Sequence, residues 1–290
     1  MRALSLPGCG CRGAFQFAVL KRLVAAGESF DLVAGASSGS ICGAVHVAGL
    51  SEIGPETYLS LASTPVFSSR WLLSEKSPFG MSRIVRETLQ KHVPEDRIVA
   101  SNTELLVSTT KLNPFARNVL REWRTLRSGF GGTPPDSGMA RIAKDGGALV
   151  VHSSRERGDM HDVIVASCTI PIFYASLPRL DGEIHVDGGA ADNTLITSLV
   201  DRGATEITVV TPYEGGAVSP TLFEPSRPPT VPRHIRLRLI SPARTIRLGR
   251  FDFDRDRLAE AFAMPHFETI VEAEIGPQRA PLSAPQRSAS

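Results

Sequence analysis

The sequence predicts an α/β fold: one domain in three layers, α/β/α, with a mostly parallel central sheet. Three observations predict it. The first 50 residues read as strand, glycine loop, helix, strand, sharp turn and helix, a βαβ unit that implies parallel neighbours. Further short apolar, β-branched runs follow down the chain, separated by helical stretches rather than gathered in one block. The 290 residues, 42% apolar and 21% charged, suffice for one large domain and lie outside the disordered range.

Taken in order, residues 3–6 are the first strand. Gly8-Cys9-Gly10-Cys11-Arg12-Gly13 is a glycine loop. Residues 14–26 carry Phe15, Val19, Leu20, Leu23 and Val24 at helical spacing, closed by Gly27. Residues 31–34 are the second strand, running into Gly35-Ala36-Ser37-Ser38-Gly39 and then a small-residue helix over 41–48. Residues 52–100 are mostly helical, around 55–62 and 83–92. Residues 104–110 have the β-branched content of a strand, and 127–138 are loop by composition. A buried strand at 148–152 precedes a helix over 159–167 capped by Asp159. A short strand at 184–186 ends at Asp187-Gly188-Gly189. A helix over 195–202, a strand at 206–211, a Pro/Gly-rich surface loop at 214–233, a strand at 235–240 and a helix over 254–274 complete the domain, expected to span 1–275. The Pro/Ser/Ala/Gln composition of 276–290 predicts a disordered tail. No internal repeat is present.

The bulk numbers exclude several classes. Net charge is +2 with the charges interspersed, and no basic stripe is interleaved with aromatics, so no nucleic-acid partner is expected. Of the four cysteines, Cys9 and Cys11 form a CxC pair with no second pair at zinc spacing. They read as small buried thiols in a reducing compartment, and neither metal nor cofactor is expected. The N-terminus lacks a signal-peptide pattern, and no apolar run reaches the roughly 18 residues that span a bilayer. A cytoplasmic location is expected, with any membrane contact peripheral and signal-independent export left open.

The chemistry centres on Ser37. A strand that becomes a helix within two residues forces its turning residue into strain, and Gly35 and Gly39 supply the room. The serine hydroxyl is then held at the tip of a sheet beside a helix N-terminus, where developing negative charge is favoured. A serine needs a base and needs N–H donors for the oxyanion. The 8–13 loop, on the neighbouring strand's end, can provide the donors. It also matches the dinucleotide fingerprint Gly8-x-Gly10-x-x-Gly13, but the acid that reading needs, Asp31, begins the second strand instead of ending it. Two bases are open. His234 or His266 would complete a triad in the order Ser, acid, His, although that fold places its elbow after several strands. Alternatively Asp187, ending a strand and followed by Gly188 and Gly189, acts directly as a carboxylate base exposed at the same sheet edge. Asp-Gly-Gly is also a common turn.

In order and spacing, Gly8-Cys9-Gly10-Cys11-Arg12-Gly13-Ala14-Phe15-Gln16, Gly35-Ala36-Ser37-Ser38-Gly39, Ala166-Ser167-Cys168-Thr169-Ile170-Pro171-Ile172-Phe173 and Val186-Asp187-Gly188-Gly189 together resemble the patatin-like phospholipases over residues 3–211. The resemblance implies a patatin-like three-layer fold and a Ser-Asp dyad, with Ser37 the nucleophile and Asp187 the base. It also implies an oxyanion hole of backbone N–H groups at Gly8, Gly10, Cys11, Arg12 and Gly13. The implied activity is that of a lipid acyl hydrolase, a phospholipase A or lysophospholipase-like esterase acting on phospholipid or lysophospholipid. Cys9 and Cys11 stand where the family often has glycine or a small residue, and Leu195 where it often has proline. Neither change removes a catalytic group. Residues 52–145 are expected to supply an acyl pocket, with Phe67, Trp71, Leu72, Leu73, Phe79 and Met81 able either to line it or to serve as ordinary core. The alternatives are a non-catalytic lipid-binding or interaction protein on the same fold, and a nucleotide-binding protein. Arg12 either fixes its loop or meets a substrate phosphate.

Overall fold

The computed structural model describes residues 1–62, 64–66, 68–69, 71, 80–113, 147–171 and 177–271. Nine strands form one sheet: β1 (Arg2–Leu6), β2 (Leu32–Gly35), β3 (Glu104–Leu112), β4 (Gly147–Ser153), β5 (Arg179–Leu180), β6 (Glu183–Asp187), β7 (Glu206–Val210), β8 (Arg236–Pro242) and β9 (His266–Val271). The centre runs β3-β2-β1-β7-β8 with every pairing parallel. Antiparallel strands are added at both sides: β4 and β6 on β3, β5 on β6, and β9 on β8.

Both faces are covered, as a central parallel sheet requires. Leu4, Leu6, Val33, Leu105, Val107, Val210 and Ile240 point into the larger core. There they meet α1 (Gly13–Ala25), α2 (Ser38–Val47), α4 (Met81–His92), α5 (Glu95–Ala100), α6 (Met160–Ser167) and α8 (Arg255–Ala263), with α3 (Gly54–Ala62) packed on α1. The alternate residues Ala3, Leu32, Ala34, Leu106, Ile207, Val209, Leu237 and Leu239 form a thinner second core under α7 (Ile196–Asp201). The expected three-layer, mostly parallel architecture is therefore observed, with one layer much thicker than the other.

Several expectations are corrected. The final helix ends at Ala263, not at 274. Pro265 has no N–H to donate and forces Met264 into extended backbone (ψ 126°), after which Glu268-Thr269-Ile270-Val271 pair with β8 as β9. β4 is half exposed at its N-terminal end, because it lies antiparallel at a sheet margin. The 214–233 segment is more than surface: Val218 joins the second core and Ser219 is buried. Trp71 is core, its indole N–H donating to the Pro65 carbonyl at 2.9 Å, and Met81 packs against the same core. Phe67, Leu72, Leu73, Phe79, Ile172, Phe173, the 127–138 loop and the 276–290 tail lie outside the described residues. Among the described residues, no helix is long and apolar enough to cross a membrane.

Candidate active site

The site is created by the way two strands share one margin of β3. β2 runs along it from Glu104 to Val107, with Gly35 opposite Val107. β4 occupies the other margin, so β6, which pairs with Thr109–Lys111 opposite β4, must lie on the β2 side. β6 runs antiparallel, with Asp187 opposite Thr109. β2 and β6 therefore approach each other end to end, and both finish where they meet. Ser37 follows one end and Asp187 closes the other. The Asp-Gly-Gly at the end of a short strand predicts an Asp187 exposed at the sheet edge. The strand runs in the opposite sense, and Asp187 is only 3% exposed.

Ser37 adopts φ 51°, ψ −127°, immediately before α2. This positive φ is the strain a strand-to-helix elbow imposes on a non-glycine residue. Gly39 permits the turn, since a Cβ there would lie 1.8 Å from the Leu6 carbonyl oxygen. Gly8 permits the 8–13 loop to pass, since its Cβ would lie 2.8 Å from Ser37 Cβ. Gly35, Gly188 and Gly189 are likewise packed too closely for a side chain.

Asp187 Oδ1 accepts the Gly189 N–H at 2.9 Å, while Oδ2 is buried without a hydrogen-bond partner among the described residues. Burial pushes the carboxyl up to about 6, against the lowering effects of the Ser37 hydroxyl, the Gly189 N–H and the Arg250 charge. The end of α6 holds both residues: Ser167 Oγ accepts the Ser37 N–H at 2.9 Å, and the Thr169 carbonyl accepts the Asp187 N–H at 2.8 Å.

Every turn of the 8–13 loop is fixed. Asn193 accepts the Gly8 N–H through Oδ1 (2.9 Å) and donates through Nδ2 to the Gly8 and Ser219 carbonyls (3.2 and 3.0 Å). Ser38 Oγ accepts the Cys9 N–H, the Arg250 carbonyl accepts the Cys11 N–H, and Tyr58 donates to the Gly10 carbonyl. A 3₁₀ turn, Gly10–Arg12, uses the N–H groups of Arg12 and Gly13 internally. Of the five expected oxyanion donors, Gly8, Cys11, Arg12 and Gly13 thus carry protein acceptors. The Gly10 N–H has none among the described residues, and neither has the Ser38 N–H in the first turn of α2. Arg12 donates from Nε to the Leu248 carbonyl at 2.7 Å and lies over the Tyr213 ring.

None of the seven histidines hydrogen-bonds Ser37 or Asp187. His234 is exposed ahead of β8, at the end of the sheet away from the elbow, and His266 meets Arg22. His46, His92, His152, His161 and His185 have partners within the fold. Asp31 accepts the Arg2 N–H at the start of β2, away from the glycine loop. Sequence reading gave no role to Asn193, Ser167, Thr169 or Arg250. Their partners lie far away along the chain, 185 residues for Asn193 and Gly8, and no local pattern carries that information.

The family model described as patatin-like phospholipase matches residues 4–200. The crystal structure of VipD from Legionella pneumophila is similar over 73% of this chain and 50% of that chain, at 13% identity and a TM-score of 0.36. The chain thus spans about half the length of that structure. No curated protein matches.

Proposed function

The chain belongs to the patatin-like phospholipase family, and on that premise we propose that it hydrolyses acyl esters of lipids with a Ser37-Asp187 dyad. Asp187 takes the proton from Ser37 as the hydroxyl oxygen attacks the ester carbonyl. The oxyanion is met by the N–H groups of Gly10 and Ser38, at the positive end of α2. The alcohol leaves with a proton from Asp187. Water then attacks the acyl-enzyme with Asp187 again as base, releasing the fatty acid and Ser37. The observation that carries this reading is the pairing of a strained serine with a buried carboxylate whose Oδ2 has no hydrogen-bond partner among the described residues. Such an oxygen is expensive to keep in a fold and is ready to accept a proton. A carboxyl pushed up to about 6 is also better matched to proton transfer near neutral pH than an ordinary aspartate.

The test is labelling by a serine-directed fluorophosphonate, followed by hydrolysis of a panel of phospholipids, lysophospholipids, acylglycerols and p-nitrophenyl esters. Labelling at Ser37 that is lost in Ser37→Ala, together with turnover of at least one lipid ester, is expected. Failure to label the folded protein would favour the non-catalytic lipid-binding reading. His234→Ala and His266→Ala should each reduce turnover less than about tenfold, because a general base contributes roughly 10²–10⁴-fold.

A further inference from the structure

Arg250 lies beyond the residues 4–200 that the family model matches, yet it is built into the site from two sides. Its carbonyl accepts the Cys11 N–H at 2.9 Å and presses on Gly10, where a Cβ would lie 2.1 Å from that oxygen. Its guanidinium reaches the other side of the dyad. Nη1 donates to the Leu222 carbonyl at 3.2 Å, and the Leu222 N–H donates to the carbonyl of Gly189, in the turn that holds Asp187. Nη2 donates to the Tyr213 hydroxyl at 3.2 Å. The Arg12 guanidinium lies over the same ring, 5.4 Å from its centroid.

One half-buried tyrosine thus gathers two arginines, and neither forms an ion pair with a carboxylate among the described residues. Burial raises the Tyr213 hydroxyl, but hydrogen bonds from Arg250 and Ser219 and the charges of both arginines outweigh it and hold it below its ordinary value. Two like charges gathered on one ring, with no carboxylate in ion-pair contact among the described residues, repel each other, and an anion placed between them removes that repulsion. A guanidinium is a planar donor suited to phosphate oxygens. The two arginines differ in freedom. Arg12 spends Nε on the Leu248 carbonyl and fixes its loop, whereas Arg250 anchors through its backbone and directs its side chain to Leu222 and Tyr213.

Building on the hydrolase reading, we propose that Arg250, aided by Tyr213 and Arg12, binds the phosphate of the lipid substrate. It thereby selects phosphate-bearing acyl lipids over neutral acylglycerols. In a glycerophospholipid the phosphate stands only a few bonds from the scissile ester, which matches a guanidinium bridging the oxyanion loop and the Asp187 turn.

The test compares kcat/KM for short-chain phosphatidate and for diacylglycerol of the same acyl chains, with p-nitrophenyl butyrate as a third substrate. It uses the full chain at about pH 8.5, where Asp187 is ionised, since loss of the Arg250 charge also raises that carboxyl. Wild type is expected to prefer phosphatidate. Arg250→Ala and Arg250→Gln should lower the phosphatidate-to-diacylglycerol ratio about 10- to 100-fold, with Arg250→Lys in between. The loop contact is a backbone one, so it survives every substitution, and unchanged circular dichroism and Tm are the folding check. A wild type without preference, or variants that lose both lipids by equal factors, would overturn the assignment and leave the hydrolase reading standing. A folded wild type that turns over none of the three substrates would overturn both.

Discussion

At the scale of single residues, the proposed dyad combines a strained serine with a carboxyl whose ionised form burial disfavours. Ser37→Ala and Asp187→Asn should each lower kcat at least about 10³-fold, with the double variant no slower than the worse single one, because the two groups act as a unit. The pH dependence follows from Asp187. Its folded pKa of about 6 lies above the ordinary 3.8, so its stabilising contribution belongs to the protonated form. That contribution is fully present below about pH 4 and is lost as pH rises through 6. The base, by contrast, must be ionised to work. kcat/KM should therefore rise through about pH 6 over the range in which stability falls, and Asp187→Asn should be more stable than wild type at pH 8 by up to about 3 kcal/mol. Urea denaturation at pH 4 and pH 8 measures this, and equal midpoints for the two proteins at pH 8 would contradict it. Arg12→Ala should behave differently from Arg250→Ala. Its Nε bond to Leu248 also fixes the 8–13 loop, so p-nitrophenyl butyrate should be slowed on the order of tenfold, and phosphatidate by more, because a charge facing the phosphate is lost as well.

At the scale of elements, two pieces that carry no reacting atom hold the site together. The end of α6 binds Ser37 through Ser167 and Asp187 through Thr169. Asn193, ahead of α7, clamps the loop that follows β1. Removing its amide leaves the Gly8 N–H and the Gly8 and Ser219 carbonyls unpaired in a buried site. Asn193→Ala should therefore cost about 2–4 kcal/mol and slow every ester alike. Ser167→Ala removes the acceptor for the Ser37 N–H, and should cost about 1–3 kcal/mol and lower kcat more than it changes KM. Denaturant midpoints and steady-state kinetics on one substrate separate the two variants from wild type. An Asn193→Ala protein with wild-type kinetics would show that the loop keeps its shape without the clamp.

At the scale of the whole molecule, the thick helical layer also explains the cysteines. All four are buried reduced thiols. Cys9 and Cys11 flank Gly10 in the 8–13 loop, Cys42 donates to the Gly13 carbonyl and Cys168 touches Ser40 in α2. Burial pushes Cys9 up to about 11 and Cys11 up to about 12, and raises Cys42 and Cys168 well above the usual thiol value. A thiol that does not ionise does not react. The native protein should therefore be nearly inert to Ellman's reagent, and the denatured one should release four equivalents. Rapid reaction of any thiol in the native state would show that the loop opens.

The sequence by itself determined what short-range sterics can encode. Gly-x-Ser-x-Gly after an apolar strand makes an elbow because five residues suffice to impose the positive φ of Ser37 and the close packing of Gly39. β-Branched runs and helical spacing likewise fixed most elements to within a few residues, and four motifs in register carried the family. The tertiary structure decided the rest. It ran β6 against β3 and turned residues 266–271 into β9, because strand pairing depends on which margin of the sheet is open. It buried Asp187, so that its proton affinity reflects surroundings drawn from the whole chain. It also joined Asn193 to Gly8 and Arg250 to Tyr213, contacts between residues too far apart in sequence for any local pattern to specify.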